Sequence, residues 1–274
     1  MTEAARPGER VYRHSIAARV AHWSWTFAML ILLMSGLQIF NAAPYLDASD
    51  KSDPAKRVLA FEADETRTGT TGYTVVFGHR FPTTGVFGFT DDGDGMLTER
   101  AFPGWLTLPN YQDLAGGRRW HLFFGWALVL AVVVYFVAGA LRGDLAELIV
   151  RPSDFPKMLP MQLYYLKLRR EPPPHGKYNP LQKATYTLVL FVLLPLMILT
   201  GMALAPGIDA IANPLTAVFG GRQFARLWHF TIMALLLGYF CVHMFFVVTT
   251  RPIENLKSMI TGRYRLGKHD GIGI

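Results

Sequence analysis

Leu227–Thr250 reads LWHFTIMALLLGYFCVHMFFVVTT, 24 residues without Asp, Glu, Lys or Arg. A helix needs roughly 20 such residues to cross the hydrocarbon core of a bilayer. Three other stretches are equally free of charge: Val20–Leu46, Trp120–Leu141 and Ala184–Ile208. The whole chain is 51% hydrophobic and only 17% charged, against roughly 25% charged in soluble domains. Buried helices of soluble proteins rarely stay uncharged for so long. The first stretch also exceeds the roughly 7–15 apolar residues of a secretory signal, and it reads as an uncleaved helix.

These features predict an all-α membrane protein, a bundle of four transmembrane helices at about residues 17–40, 119–141, 182–204 and 223–249. The formal charge of +7 is spread in a way that argues against a nucleic-acid partner. Residues 1–19 carry four basic and two acidic side chains, 142–183 eight and four, and 250–274 five and two. Residues 41–116 reverse the balance, with six basic and eleven acidic. An even number of spans puts both termini and the middle loop on one side, and their basic excess marks that side as cytoplasmic. Residues 41–117 then form a long periplasmic insertion, too long for an idle connection. The tail from Ile253 to Tyr264 is amphipathic, as a segment lying along the inner membrane surface would be. The single cysteine, Cys241, excludes an internal disulfide, a Cys-rich zinc site and an iron–sulfur cluster.

Of eight histidines, four lie in or at the edge of the spans: His22, His121, His229 and His243. Ionisable groups in a span are expensive and point to function. His229 and His243 are 14 residues apart, roughly 21 Å along a helix and nearly four whole turns, so both point to almost the same face. His22 matches the depth of His243, and His121 that of His229. Two facing imidazoles at each of two levels are what two bis-histidine b-type haems require. A zinc site would need three or four ligands at one depth, and a proton relay would favour carboxylates within the spans. Gly36 and Gly125, near the level of His121, would let a flat macrocycle approach the backbone. Arg13, Arg19 and Arg251 at one level, and Arg118, Arg119 and Arg226 at the other, suit haem propionates. His14, His79, His175 and His269 lie outside the spans. Asp91-Asp92-Gly93-Asp94-Gly95 misses EF-hand spacing and reads as a turn.

This histidine pattern resembles a bacterial family of di-haem cytochrome b membrane subunits. The family includes the gamma subunit of respiratory formate dehydrogenase, the cytochrome b of NiFe hydrogenases and subunits of the thiosulfate reductase type. Gly176-Lys177-Tyr178-Asn179-Pro180-Leu181-Gln182-Lys183 is similar to the family's GKYN…QK segment. Tyr111-Gln112-Asp113-Leu114 and Gly117-Arg118-Arg119-Trp120-His121 look most like the thiosulfate reductase type. The resemblance implies an inner haem on His22 and His243 and an outer haem on His121 and His229. It also implies a quinone as exchangeable substrate near Asn179. Its further implication is an electron-transfer subunit in the bacterial inner membrane, embedded in lipid and serving a periplasmic oxidoreductase, molybdenum-dependent, or a c-type cytochrome. The competing readings are a haem-free anchor or transporter, and a cytochrome that reduces its substrate directly.

Overall fold

The computed structural model describes residues 8–67, 69–176, 178–211, 213–249 and 251–265. Lys177 of the GKYN segment and His269 lie outside the described residues. Among the described residues four helices are long and apolar enough to cross a membrane: Ile16–Phe40, Leu114–Arg142, Pro180–Leu204 and Arg222–Thr249. They are called here the first to fourth spans. The chain groups into two compact units, each drawing on all four spans.

One unit comprises residues 1–23, 132–195 and 235–274. Here Arg10–Tyr12 pairs antiparallel with Arg263–Arg265. The tail forms a helix, Pro252–Thr261, that stops at Gly262 with φ +80°. A side chain at Gly262 would come within 2.8 Å of the His14 carbonyl, so the left-handed stop suits glycine alone. Ile253, Leu256 and Ile260 on this helix are exposed. In the segment between the second and third spans, Asp154 accepts hydrogen bonds from the Arg151 backbone N–H at 2.9 Å and Lys183 Nζ at 3.2 Å. The third span opens on a capping box, in which Asn179 Oδ1 accepts from Gln182 N–H and Gln182 Oε1 accepts from Asn179 N–H. Proline follows at the first helical position, where its missing N–H costs nothing. Between Val189 and Leu193 the helix widens into a π turn. Pro195 explains it: proline has no N–H for the Phe191 carbonyl and its ring crowds that carbonyl, so the turn before it opens.

The other unit comprises residues 24–131 and 196–234, and it corrects two expectations. The description all-α fails in the insertion. Tyr45–Asp47, Arg57–Thr66, Gly69–Val76 and His79–Pro82 form a four-stranded antiparallel sheet in sequence order. Phe89–Asp91 and Leu97–Glu99 make a separate hairpin. Thr, Val and Tyr dominate Gly69–Val76, residues whose branched or aromatic side chains suit a half-buried pleated surface. The second span also starts at Leu114, not Arg119, and so shortens the insertion. Asp113 is its cap, with Oδ1 accepting from Gly116 N–H at 2.8 Å, three residues into the helix. Leu37, Phe40, Leu46, Phe61, Ala101 and Phe102 form the buried core of this unit, with Leu227 and Phe230 packed against it. Insertion aromatics thus cover the ends of the first and fourth spans. Asp91–Gly95 is the hairpin turn, its carboxylates accepting from backbone N–H groups of Gly93, Asp94, Gly95 and Met96.

Candidate functional site

The structure brings the four span histidines together as two pairs, one in each unit. In the unit with the insertion, the rings of His121 and His229 have centroids 6.2 Å apart at 69°. In the unit with the chain ends, His22 and His243 have centroids 6.3 Å apart at 54°. Metal–imidazole bonds of about 2.0–2.1 Å, plus a ring radius of roughly 1.2 Å for each ring, would separate the centroids of two imidazoles that share one metal by up to about 6.4–6.6 Å. Both observed separations lie close to that range, and rings that share an axis can take any interplanar angle, so the separations and angles are compatible with a shared metal. Among the described residues no group of three or more His, Cys, Asp or Glu converges. Each donor set is two nitrogens, which suits a metal whose other ligands come from a macrocycle.

The second test is the tautomer. Nδ1 of His121 lies 3.1 Å from Ser35 Oγ and 3.1 Å from the Leu32 carbonyl. Ser35 already donates its one hydroxyl proton to the Ile31 carbonyl at 2.6 Å. Both neighbours of Nδ1 are therefore acceptors, and Nδ1 carries the proton. The lone pair is left on Nε2, as metal ligation through that nitrogen requires. His229 repeats the arrangement. Its Nδ1 lies 2.9 Å from Thr200 Oγ1, and Thr200 donates to the Leu196 carbonyl at 2.8 Å. A carbonyl one turn back along the same helix holds each hydroxyl proton, and each hydroxyl oxygen orients one imidazole.

Glycines follow those hydroxyls. A Cβ at Gly36 would lie 3.2 Å from His121 Cε1, and one at Gly201 would lie 3.2 Å from His229 Cε1. The dipeptides Ser35-Gly36 and Thr200-Gly201 thus serve the two rings in the same way. Ser35, Thr200 and Gly201 were not among the residues the sequence singled out; a hydroxyl residue followed by glycine in each of two spans is the one local trace of them. Gly125 faces open space, with nothing within 4 Å of a Cβ placed there.

The remaining candidates are placed as follows. In the unit with the chain ends, Arg19 Nη1 donates to the Ile260 carbonyl and Trp23 Nε1 to that of Met259 at 3.0 Å. Arg19 thereby ties the first span to the tail helix. Arg13 lies over the Tyr264 ring at 4.6 Å. The Tyr239 ring lies 5.9 Å from that of His243. Asn179 is buried, and its Nδ2 donates to Tyr165 Oη at 2.9 Å. Burial pushes the Tyr165 phenol above its ordinary value. In the other unit, Arg118 and Arg119 are exposed. Arg226 Nη2 donates to the carbonyls of Ala43 and Tyr45, which anchors the start of the insertion.

Comparison with known proteins adds three findings. Residues 13–262 match the family model described as prokaryotic cytochrome b561. The protein named cytochrome YdhU of Escherichia coli (strain K12) is 37% identical over 93 residues, 33% of each chain, so the match spans about a third of that relative. The protein named protein-methionine-sulfoxide reductase subunit YedZ1 of Azospira oryzae is 24% identical over 249 residues, 89% of this chain and 93% of that one.

Proposed function

The chain belongs to the prokaryotic cytochrome b561 family, a family of membrane electron-transfer proteins that bind b-type haem, and we propose that it carries electrons through two such haems between a quinone pool and a periplasmic oxidoreductase. The observation that supports two haems is the pair of imidazole couples at 6.2 and 6.3 Å. His121 and His229 would hold one haem, His22 and His243 the other. Bound haem supplies one-electron exchange at iron. The chain's own residues do the rest. Ser35 and Thr200 keep Nδ1 protonated so that Nε2 stays available. Gly36 and Gly201 keep their backbones close to the rings. Phe61, Ala101 and Phe102 of the insertion cover the ends of the first and fourth spans and exclude water from the outer site.

The same reading puts both termini on the cytoplasmic side and the insertion in the periplasm, in line with the charge balance. It places quinone exchange on the cytoplasmic side near Asn179, as the GKYN segment implies. The partner is proposed as an oxidoreductase because a relative's name is that of a reductase subunit. The insertion offers such a partner exposed aromatic side chains, since Phe77 is 73% exposed, Phe81 53% and Trp105 74%. Phe77 also sits at a hairpin tip with φ +48°, a conformation costly for a bulky residue and retained where the side chain serves a purpose. The test is quinol-driven reduction of the purified protein, followed optically. A b-type spectrum that reduces with quinol, and reoxidises with a periplasmic reductase fraction, supports the reading. A b-type spectrum that quinol leaves oxidised contradicts the quinone link. The substitutions Phe77→Ser, Phe81→Ser and Trp105→Ser together should leave quinol-driven reduction intact and abolish reoxidation by the partner.

A further inference from the structure

Arg100 is 2% exposed and heads the fully buried side chains by volume. Its Nη1 donates to the carbonyls of Asp92 at 3.1 Å and Asn110 at 3.0 Å. Its Nη2 donates to Gln38 Oε1 at 3.1 Å and Thr107 Oγ1 at 2.9 Å. Among the described residues Nε finds no hydrogen-bond partner. Every acceptor is neutral. Asp91 and Asp92 are near enough to favour the charge, but neither carboxylate forms a hydrogen bond or salt bridge with the guanidinium among the described residues. Burial pushes the guanidinium below its ordinary value, yet an arginine stays protonated at any physiological pH. A buried cation with no salt bridge among the described residues is expensive, and filling this space needs none.

The position of this charge gives it a use. Gln38, its partner, lies three residues after Ser35 in the first span, and Ser35 Oγ is 3.1 Å from His121 Nδ1. Gln38 Nε2 also donates to the Tyr111 carbonyl at 3.0 Å, just before the cap of the second span. A Cβ at Gly117 would come within 2.9 Å of Gln38 Cγ, so the two spans meet closely here. Arg100 is thus bonded through Gln38 to the first span, whose Ser35 touches the His121 ring, and through Asn110 to the segment that leads into the second span, which carries His121. A positive charge in a poorly screened interior stabilises an added electron nearby.

We propose that Arg100 is a positioning residue for the outer site and that its buried positive charge raises the reduction potential of the centre held by His121 and His229. This rests on the reading that those two histidines hold a haem. It makes the outer haem the better electron acceptor than its ligands alone would make it, and so favours flow toward the insertion.

The experiment is a redox titration of the purified, haem-loaded full chain, with the outer midpoint assigned by its absence in His229→Ala. Arg100→Gln should lower the outer midpoint and leave the inner one unmoved. Arg100→Lys should hold the outer midpoint close to that of the unsubstituted chain. Gln38→Glu places a carboxylate against the guanidinium without removing it, and should lower the same midpoint; it also serves if Arg100→Gln does not accumulate. An outer midpoint that Gln38→Glu leaves unmoved, or that Arg100→Lys lowers as far as Arg100→Gln does, would overturn the proposal. Absence of a b-type spectrum in the unsubstituted chain would instead refute the haem reading on which it rests.

Discussion

Thr200 Oγ1 accepts a hydrogen bond from His229 Nδ1 at 2.9 Å while donating its own proton to the Leu196 carbonyl at 2.8 Å. The third span carries no histidine, yet through this contact it sets the tautomer of an imidazole on the fourth. Thr200→Val removes the acceptor and keeps the shape. An accepting partner raises the basicity of a ligating imidazole, which favours the oxidised metal. The variant should therefore raise the outer midpoint potential and weaken haem retention by about 10–100-fold, as losses of such partners do. A redox titration and a haem-transfer assay to apomyoglobin check the two effects.

His229→Ala should remove the outer haem and leave the inner one. Each histidine pair lies within its own compact unit, and no side chain among the described residues joins a third ligand to either pair. Haem content per chain should fall by half. Loss of both haems from a stable, folded chain would contradict the pairing.

Asn179 caps the third span and also donates to Tyr165. Asn179→Ala loses the cap and should cost about 1 kcal/mol of stability, read as a lower Tm. Asn179→Asp keeps the capping oxygen but loses the amide N–H. If quinone exchange uses this corner of the structure, the aspartate variant keeps its Tm and its b-type spectrum and is reduced more slowly by quinol. A rate equal to that of the unsubstituted chain would leave Asn179 with a capping role alone.

Asp154 has its carboxyl held below the ordinary carboxylate value, first by the hydrogen bond from the Arg151 backbone and then by Lys183. A depressed folded-state value means stabilisation that is present above the unfolded value and lost as pH falls through the folded one. Asp154→Asn should lower Tm at neutral pH and flatten the decline in Tm below about pH 4. A parallel decline in both proteins would show that this ion pair does not contribute.

The spans and their histidines were legible because a bilayer permits few solutions. Uncharged length fixes a span, and a 14-residue spacing between His229 and His243 returns to one face. The second span starts earlier than the uncharged stretch indicates, because Asp113 caps a first turn that includes Gly116 and Gly117. The sheet in the insertion depends on antiparallel partners distant in sequence, which no local pattern encodes. Ser35, Thr200 and Gly201 were hidden for a different reason. Their role comes from which span packs against which ring, and hydropathy does not encode that. Arg226 looked like a propionate partner by its depth, but its guanidinium is committed to the carbonyls of Ala43 and Tyr45.

The central claim is that two imidazole pairs hold two b-type haems, and the haem-to-polypeptide ratio of the purified, folded chain tests it most directly. Pyridine haemochrome absorbance set against quantitative amino-acid analysis gives that ratio, with the α-band of the reduced protein identifying the haem type. The account predicts two haems of b type per chain. A folded protein with one haem, or none, would contradict it.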